Sequence, residues 1–286
     1  MLIWIPATGA RRVRPYVRGN KTGRADAAGL LEVDRCGQIA TVSIKTPEQQ
    51  GVQAQHPVRE RLKAQRTALL NLLRGVLREF GIAIPLGAAK VIPVARDALG
   101  DGDNALPMAL RETPADVLDQ IATLEMTMTR IERRLAVFAG QDRDSRRHRQ
   151  APGVGLLTAT ALSASAGDLM RFASGRHFSA WLGLTPKEFS SGKTRKLGAI
   201  TKRGDAYLRT LLIHGARAVL ASALTQHKRG RPLDRFHAWA LEILARRGHN
   251  KAAVAVANKL ARRLWAMARD GKPFDGDHVS AAPVAR

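Results

Sequence analysis

The chain has 286 residues, 45% of them hydrophobic and 25% charged, and its 47 Lys and Arg outnumber its 24 Asp and Glu to leave a formal charge of +23. That apolar fraction excludes a disordered polymer and is enough for a sizeable core shared between two modest domains. The charge excess points to a polyanionic partner, nucleic acid first, because Lys and Arg approaching phosphate release its condensed counterions.

Residues 1–50 mix short apolar runs, Leu2 to Ile5 and Ile39 to Ile44, with a basic turn and a short helical stretch from Ala25 to Leu31. They read as part of an α/β domain, since a strand at residue 2 has little sheet to join. The opening apolar run is too short for a signal-peptide core, and no segment approaches the length of a membrane span, so a cytoplasmic protein with no membrane partner is expected. Cys36, the single cysteine, rules out an intrachain disulfide framework or a cysteine-based zinc site, and is expected as a small buried hydrophobe.

Residues 57–80 read as a helix, with Val58, Leu62, Gln65, Leu69, Leu72, Val76 and Phe80 on one stripe and Gly81 as the stop. After a loop centred on Gly100 to Pro107, a second helix is expected over about 114–139. Its Val117, Ile121, Leu124, Met128, Ile131, Leu135 and Phe138 are spaced 4, 3, 4, 3, 4, 3. This heptad seam suits either a hairpin with helix 57–80 or a coiled-coil homo-oligomer. The polar stretch Gln141 to Gln150 marks a domain boundary. Helices are expected beyond it at 155–166, near 176–182, at 205–224, about 233–246 and 250–269, followed by a disordered tail over 273–286. Trp181, Trp265 and His214 are expected in the core.

Three short patterns could carry chemistry. Ala151-Pro152-Gly153-Val154-Gly155 is a tight turn leading into a helix, as in a helix-hairpin-helix module, and Gly153 and Gly155 could present backbone N–H groups to a phosphate. Ser190-Ser191-Gly192 opens a loop in which Lys193, Arg195, Lys196, Lys202 and Arg203 follow, before Asp205 as helix N-cap and Arg209 one turn in. A serine there could attack a phosphodiester whose charge the cations neutralise, or simply hydrogen-bond to phosphate oxygens; composition alone favours the second. In Gly19 to Ala27, Asp26 is the one carboxylate beside a basic turn, and one carboxylate does not make a two-metal site.

Taken together, RPYVRGNKTGRADA and the long stretch from PGVG through WLGLTPKEFSSGKTRKLGAITKRGDAYLRTLLIHGARA resemble the insertion-sequence transposases of the one-ten, one-sixteen and nine-oh-two family, over about Leu2 to Ala223. The resemblance implies a mainly α protein. Its parts would be a truncated, resolvase-like α/β domain with an acidic DEDD site (1–56), a long helical hairpin or coiled coil (57–140), and an all-helical C-terminal serine domain with a helix-hairpin-helix-like turn (141–272). It implies a recombinase that cuts and joins DNA through a phosphoserine at Ser191, with Ser190 the close alternative, assisted by Mg2+. A structured guide RNA and a nucleoid location are further implications. At the family's third and fourth acidic positions stand Gly23 and Asp26, and the earlier acidic positions lie ahead of the matching stretch. Impaired recombination by this chain alone is therefore expected, the alternative being a non-catalytic, dimerising nucleic-acid-binding remnant.

Overall fold

The computed structural model describes residues 22–36 and 44–278. Contacts divide the chain into two units, Met1–Gln50 and Gly51–Arg286. In the first, α1 (Gly23–Cys36) starts at Thr22, whose Oγ1 accepts from the Ala25 N–H, and turns Gly29 and Val33 inward. The strands expected at 2–5 and 39–44 lie outside the described residues, apart from Ile44, which is in neither helix nor strand. Cys36 is exposed rather than buried: it is the last residue of α1, beyond the helix's short apolar face.

Helix α2 (Pro47–Glu79) begins ten residues before the expected start. Thr46 and Gln49 form a reciprocal capping box: Thr46 Oγ1 accepts from the Gln49 N–H at 3.2 Å and Gln49 Oε1 accepts from the Thr46 N–H at 3.1 Å. Pro47 then takes the first helical position, where its missing N–H costs nothing. The buried face is also rotated by about one residue from the expected stripe. Val52, His56, Leu70, Leu73 and Leu77 face inward, while Val58 and Leu72 are each 51% exposed. The reason is that Arg59 and Arg66 belong to the inward face. They reach across to Glu132 at 2.7 Å and Glu125 at 2.6 Å on α4 (Met108–Gln141). A hydrophobicity count skips those two positions and so selects the neighbouring stripe.

The two ion pairs fix α2 and α4 as an antiparallel hairpin within the chain. The expected seam of α4 is buried at Val117, Ile121, Ile131 and Leu135 and half-buried at Leu124, Met128 and Phe138. At the far end a short helix, α3 (Val91–Gly100), falls in a stretch expected as loop. It plugs the hairpin with Val91, Ala95 and Ala98 against Leu70, Leu73, Leu77, Val117 and Ile121. Arg74, donating to the carbonyls of Ile84, Pro85 and Gly87, holds the turn that feeds it.

The rest is a helical domain: α5 (Arg143–His148), α6 (Leu156–Ala161, extended by a π-turn over Leu162–Ala166), α7 (Gly175–Trp181), α8 (Ala206–Lys228), α9 (Arg235–Arg247) and α10 (His249–Asp270). Its core centres on Phe178, Leu182, Leu208, Leu212, Leu220, Phe236 and Leu260. Trp181 and Trp265 pack on it as expected, the latter donating Nε1–H to the Phe172 carbonyl. His214 is exposed instead, on the outer side of α8. The mainly α expectation holds, with one addition to the all-helical domain: a two-stranded antiparallel sheet, β1 (Pro186–Glu188) and β2 (Leu197–Ile200).

Residues 273–278, placed by the sequence in the tail, are pinned down. Phe274 packs edge-on against Phe236, and the Gly276 carbonyl accepts from the Phe236 N–H. An aromatic ring a few residues past the helix gives the chain something to bury, which outweighs the tendency of a terminal segment to disorder.

Gly153 (φ 75°) and Gly215, in the middle of α8, meet backbone to backbone: a Cβ on either would overlap the other's carbonyl oxygen. Gly75, inside α2, has open space around it. In an ordinary helix interior Ala is favoured over Gly by about 1 kcal/mol. Gly75→Ala is therefore expected to raise the melting temperature. Gly215→Ala is expected to lower it, by overpacking that costs roughly 1–3 kcal/mol, in thermal unfolding followed by circular dichroism.

Candidate nucleic-acid interface

The base of the sheet is set by two glycines. Helix α7 ends in a Schellman motif: Gly183 (φ 71°) donates to the Ala180 carbonyl and Leu184 to that of Ser179. A Cβ on Gly183 would overlap the Arg203 backbone, and one on Gly204 (φ 87°) would overlap the Trp181 carbonyl. The entering and leaving strands are thus clasped where they meet the core. Thr201 N–H donates to the Thr185 carbonyl and Lys202 N–H to that of Gly183. Asp205 caps α8 by accepting from the Tyr207 and Leu208 N–H groups.

Beyond this base the strands leave the core; every residue of β1 and all but one of β2 are exposed. Pairing runs Pro186 to Ile200 and Glu188 to Leu197, with one irregularity between them. The tip is a two-residue turn, Gly192-Lys193, closed by Ser191 and Thr194 exchanging N–H and C=O bonds at 3.2 and 3.1 Å. Gly192 has φ 57°, the left-handed backbone a tight hairpin needs at that position. Phe189, 62% exposed, lies across Gly198, where a Cβ would meet its ring.

The two serines differ. Ser190 Oγ donates to Glu188 Oε1 at 2.7 Å and accepts from the Lys196 N–H at 3.2 Å. Glu188 also pairs with Arg195 at 3.5 Å. Ser191 is exposed and its Oγ makes no hydrogen bond among the described residues. Lys193, Arg195, Lys196, Lys202 and Arg203 are all exposed; the first three stand on the hairpin near Ser191, whereas Lys202 and Arg203 lie at its base beside Gly183. Arg209 is at the base, where its guanidinium donates to the Leu182 and Arg203 carbonyls and braces the clasp. Glu188 was not among the expected site residues, although alternation puts it on the same strand face as Ser190, two residues on.

The remaining expected residues lie elsewhere. Gly153 packs against α8 as described, and Gly155 is the exposed residue preceding the six-residue α6. Asp26 sits in the first turn of α1, its N–H bonded to the Thr22 carbonyl. Gly23 has no side-chain oxygen to offer beside it. Among the described residues, no group of three or more His, Cys, Asp or Glu could hold a metal ion. No described helix is long and apolar enough to cross a membrane.

Two buried histidines flank the domain. His56, on α2, bridges Tyr207 OH at 3.1 Å through Nδ1 and Thr160 Oγ1 at 3.2 Å through Nε2. It joins the helical hairpin to α6 and to the first turn of α8, just after the clasp. His148, on α5, is 1% exposed, and neither ring nitrogen has a hydrogen-bond partner in the protein.

Residues 145–230 match the family model described as the transposase IS116/IS110/IS902 family. A probable family 20 transposase of Pseudomonas aeruginosa is 41% identical over 256 residues, which cover 89% of this chain and 74% of that one. The transposase for insertion sequence element IS1111A of Coxiella burnetii is 37% identical, over 90% of this chain and 69% of its own. That for element IS1328 of Yersinia enterocolitica is 33% identical, over 92% and 76%.

Burial is the main cause that lowers both histidines to about 4 from the ordinary 6.5. Arg59 adds to the effect at His56, where Glu60 and Asp205 oppose it; at His148 Asp142 opposes and Arg147 adds. The folded protein keeps both rings neutral while the unfolded chain protonates them. Stability is then full above about pH 6.5 and is lost as pH falls from there towards 4. The melting temperature is expected to drop over that window. His148→Leu should flatten the drop, His148 accounting for on the order of 2–3 kcal/mol of it.

Proposed function

For a chain that belongs to the IS116/IS110/IS902 transposase family, we propose a DNA-handling role in which the hairpin presents Ser191 to a phosphodiester. The carrying observation is the contrast between the serines: Ser190 Oγ is engaged by Glu188 and the Lys196 N–H, whereas the Ser191 hydroxyl is exposed at the tip with the exposed Lys193 next to it. In the proposed step a bond forms between Ser191 Oγ and phosphorus, and the phosphorus–oxygen bond to one deoxyribose breaks. The hydroxyl proton ends on the departing sugar oxygen. One phosphate ester replaces another, so little bond energy is lost and the strand can be rejoined by the reverse attack.

The cations act on charge. Lys193, Arg195 and Lys196 flank the serine, where they can neutralise the phosphate and the extra charge of its pentacoordinate transition state. Glu188 holds Ser190 and Arg195 in place, making Ser190 a positioning residue. The hairpin tip is open to solvent, which suits a duplex or a strand end as the substrate rather than a small molecule, whose site would be concave.

A second reading is a non-catalytic module that grips DNA or structured RNA. Gly23 favours it: a position where the family resemblance implies a carboxylate carries none.

The two readings separate in one assay. The chain is incubated with DNA carrying the ends of its element, with and without magnesium, then denatured and resolved by size. A covalent DNA–protein adduct is expected, absent in Ser191→Ala and retained in Ser190→Ala at a rate reduced by roughly tenfold or less. No adduct, with binding that still weakens steeply with salt, supports the binding module. Binding indifferent to salt overturns both.

A further inference from the structure

We propose a second phosphate-binding site, formed by Arg143, Arg146, Arg147 and Lys272, that holds the duplex DNA backbone at a distance from the serine hairpin. The proposal rests on the DNA-handling role above and adds a place and a spacing to it.

The site is an open groove of about 460 Å³ between α5 and the end of α10, lined by these four cations and Gln150. Arg147 is paired with Asp144 at 3.6 Å, but Arg143, Arg146 and Lys272 make no salt bridge among the described residues and are exposed. Arg143 and Arg146 are three residues apart on one helix, so their like charges repel. That repulsion is relieved when an anion sits between them. The groove wall is built rather than loose. Gly271 (φ 66°) ends α10 and turns the chain. The segment after Lys272 is then fixed by Phe274 on Phe236, by Arg235 N–H on Asp277 and by Arg263 on the His278 carbonyl. The backbone that carries this lysine is thus already held in place.

Its position relative to the hairpin follows from α10. Asn258 donates to the Leu184 carbonyl, two residues before β1. Gly271 comes thirteen residues later, a rise of about 20 Å along the helix. Asn258, Arg262, Trp265 and Arg269 are spaced 4, 3, 4 along the helix, which keeps them near one face, and Lys272 follows just beyond the helix end. Arg262 on that face lies close enough to Arg176 and Arg263 for each to repel its charge. Arg269 is less available, being bound to Asp270 at 2.6 Å. Arg262 and Arg269 are thus the cations on this face of α10 between the level of Leu184 and the groove. About 20 Å corresponds to roughly six base-pair steps of duplex at 3.4 Å each. A duplex held near the hairpin base and running along α10 would bring its backbone to this groove.

The test uses the full chain and measures binding of a fluorescent 20-base-pair duplex across a range of salt. The variants are R143Q/R146Q/K272Q and, as a reference for the hairpin, K193Q/R195Q/K196Q. Circular dichroism checks that each folds; the groove residues are exposed, so the fold should be kept. The groove variant is expected to bind about tenfold more weakly near 0.15 M salt, with a salt slope shallower by about 1 to 2, the signature of lost phosphate contacts. Unchanged affinity and slope, while the hairpin variant is weakened, would overturn the groove site and leave the hairpin reading standing. A loss seen for single-stranded RNA but not for duplex would overturn the DNA assignment. The adduct assay on Ser191 bears only on the chemistry, so that a failure there is told apart from a failure here.

Discussion

The hairpin that carries Ser191 has no core of its own, and a two-stranded ribbon in water is marginal without support. What makes it a fixed feature is the clasp at its base. Gly183 and Gly204 bring the two strand ends so close to the backbones of Arg203 and Trp181 that no side chain could intervene. Arg209 fills the remaining acceptors by donating to the Leu182 and Arg203 carbonyls. The ribbon is therefore anchored at its base even though its strands are exposed. A basic loop with two serines is unremarkable chemistry until something fixes it in space; here the surrounding helices do so through α7 and α8.

The same helices tie the hairpin to the long arm. His56 on α2 shares its two ring nitrogens between Thr160 on α6 and Tyr207 in the first turn of α8. Tyr207 follows the Asp205 cap by two residues, so a ring held neutral by burial stands between the arm and the clasp. The arm itself is held by two polar crossings, Arg59 to Glu132 and Arg66 to Glu125, flanked by apolar clusters at either end. Such partly exposed pairs add little stability. They do set the register, because a slip of one turn would leave two arginines on the inward face without partners.

Those crossings explain where sequence reading succeeded and where it slipped. Most C-terminal helices were legible because their apolar spacing is regular and their caps are explicit, Asp205 and Asp234 among them. The start of α2 was equally written in the chain, as Thr46-Pro47-Glu48-Gln49, but the capping signal precedes a polar stretch with no apolar period to attract notice. The face of α2 was misassigned since its inward side carries Arg59, Arg66 and His56, which a hydrophobic count discards. The serine loop was legible as a cationic loop but not as a ribbon. Its strands are three and four residues long and solvated on both faces, so they lack the alternation that burial imposes on a strand. Glu188 went unnoticed for the same reason: only the strand geometry brings it under Ser190.

Net charge alone does not locate a binding surface; the disposition of carboxylates does. Glu60, Glu125 and Glu132 are spent on α2 and α4, where they neutralise arginines inside the arm. Asp142, Asp205 and Asp234 are spent on helix caps. Between Pro186 and Gly204 there are six Lys and Arg and the single carboxylate of Glu188, itself divided between Ser190 and Arg195. These carboxylates are thus taken up by the fold, while the hairpin keeps a clear excess of cations over its one carboxylate.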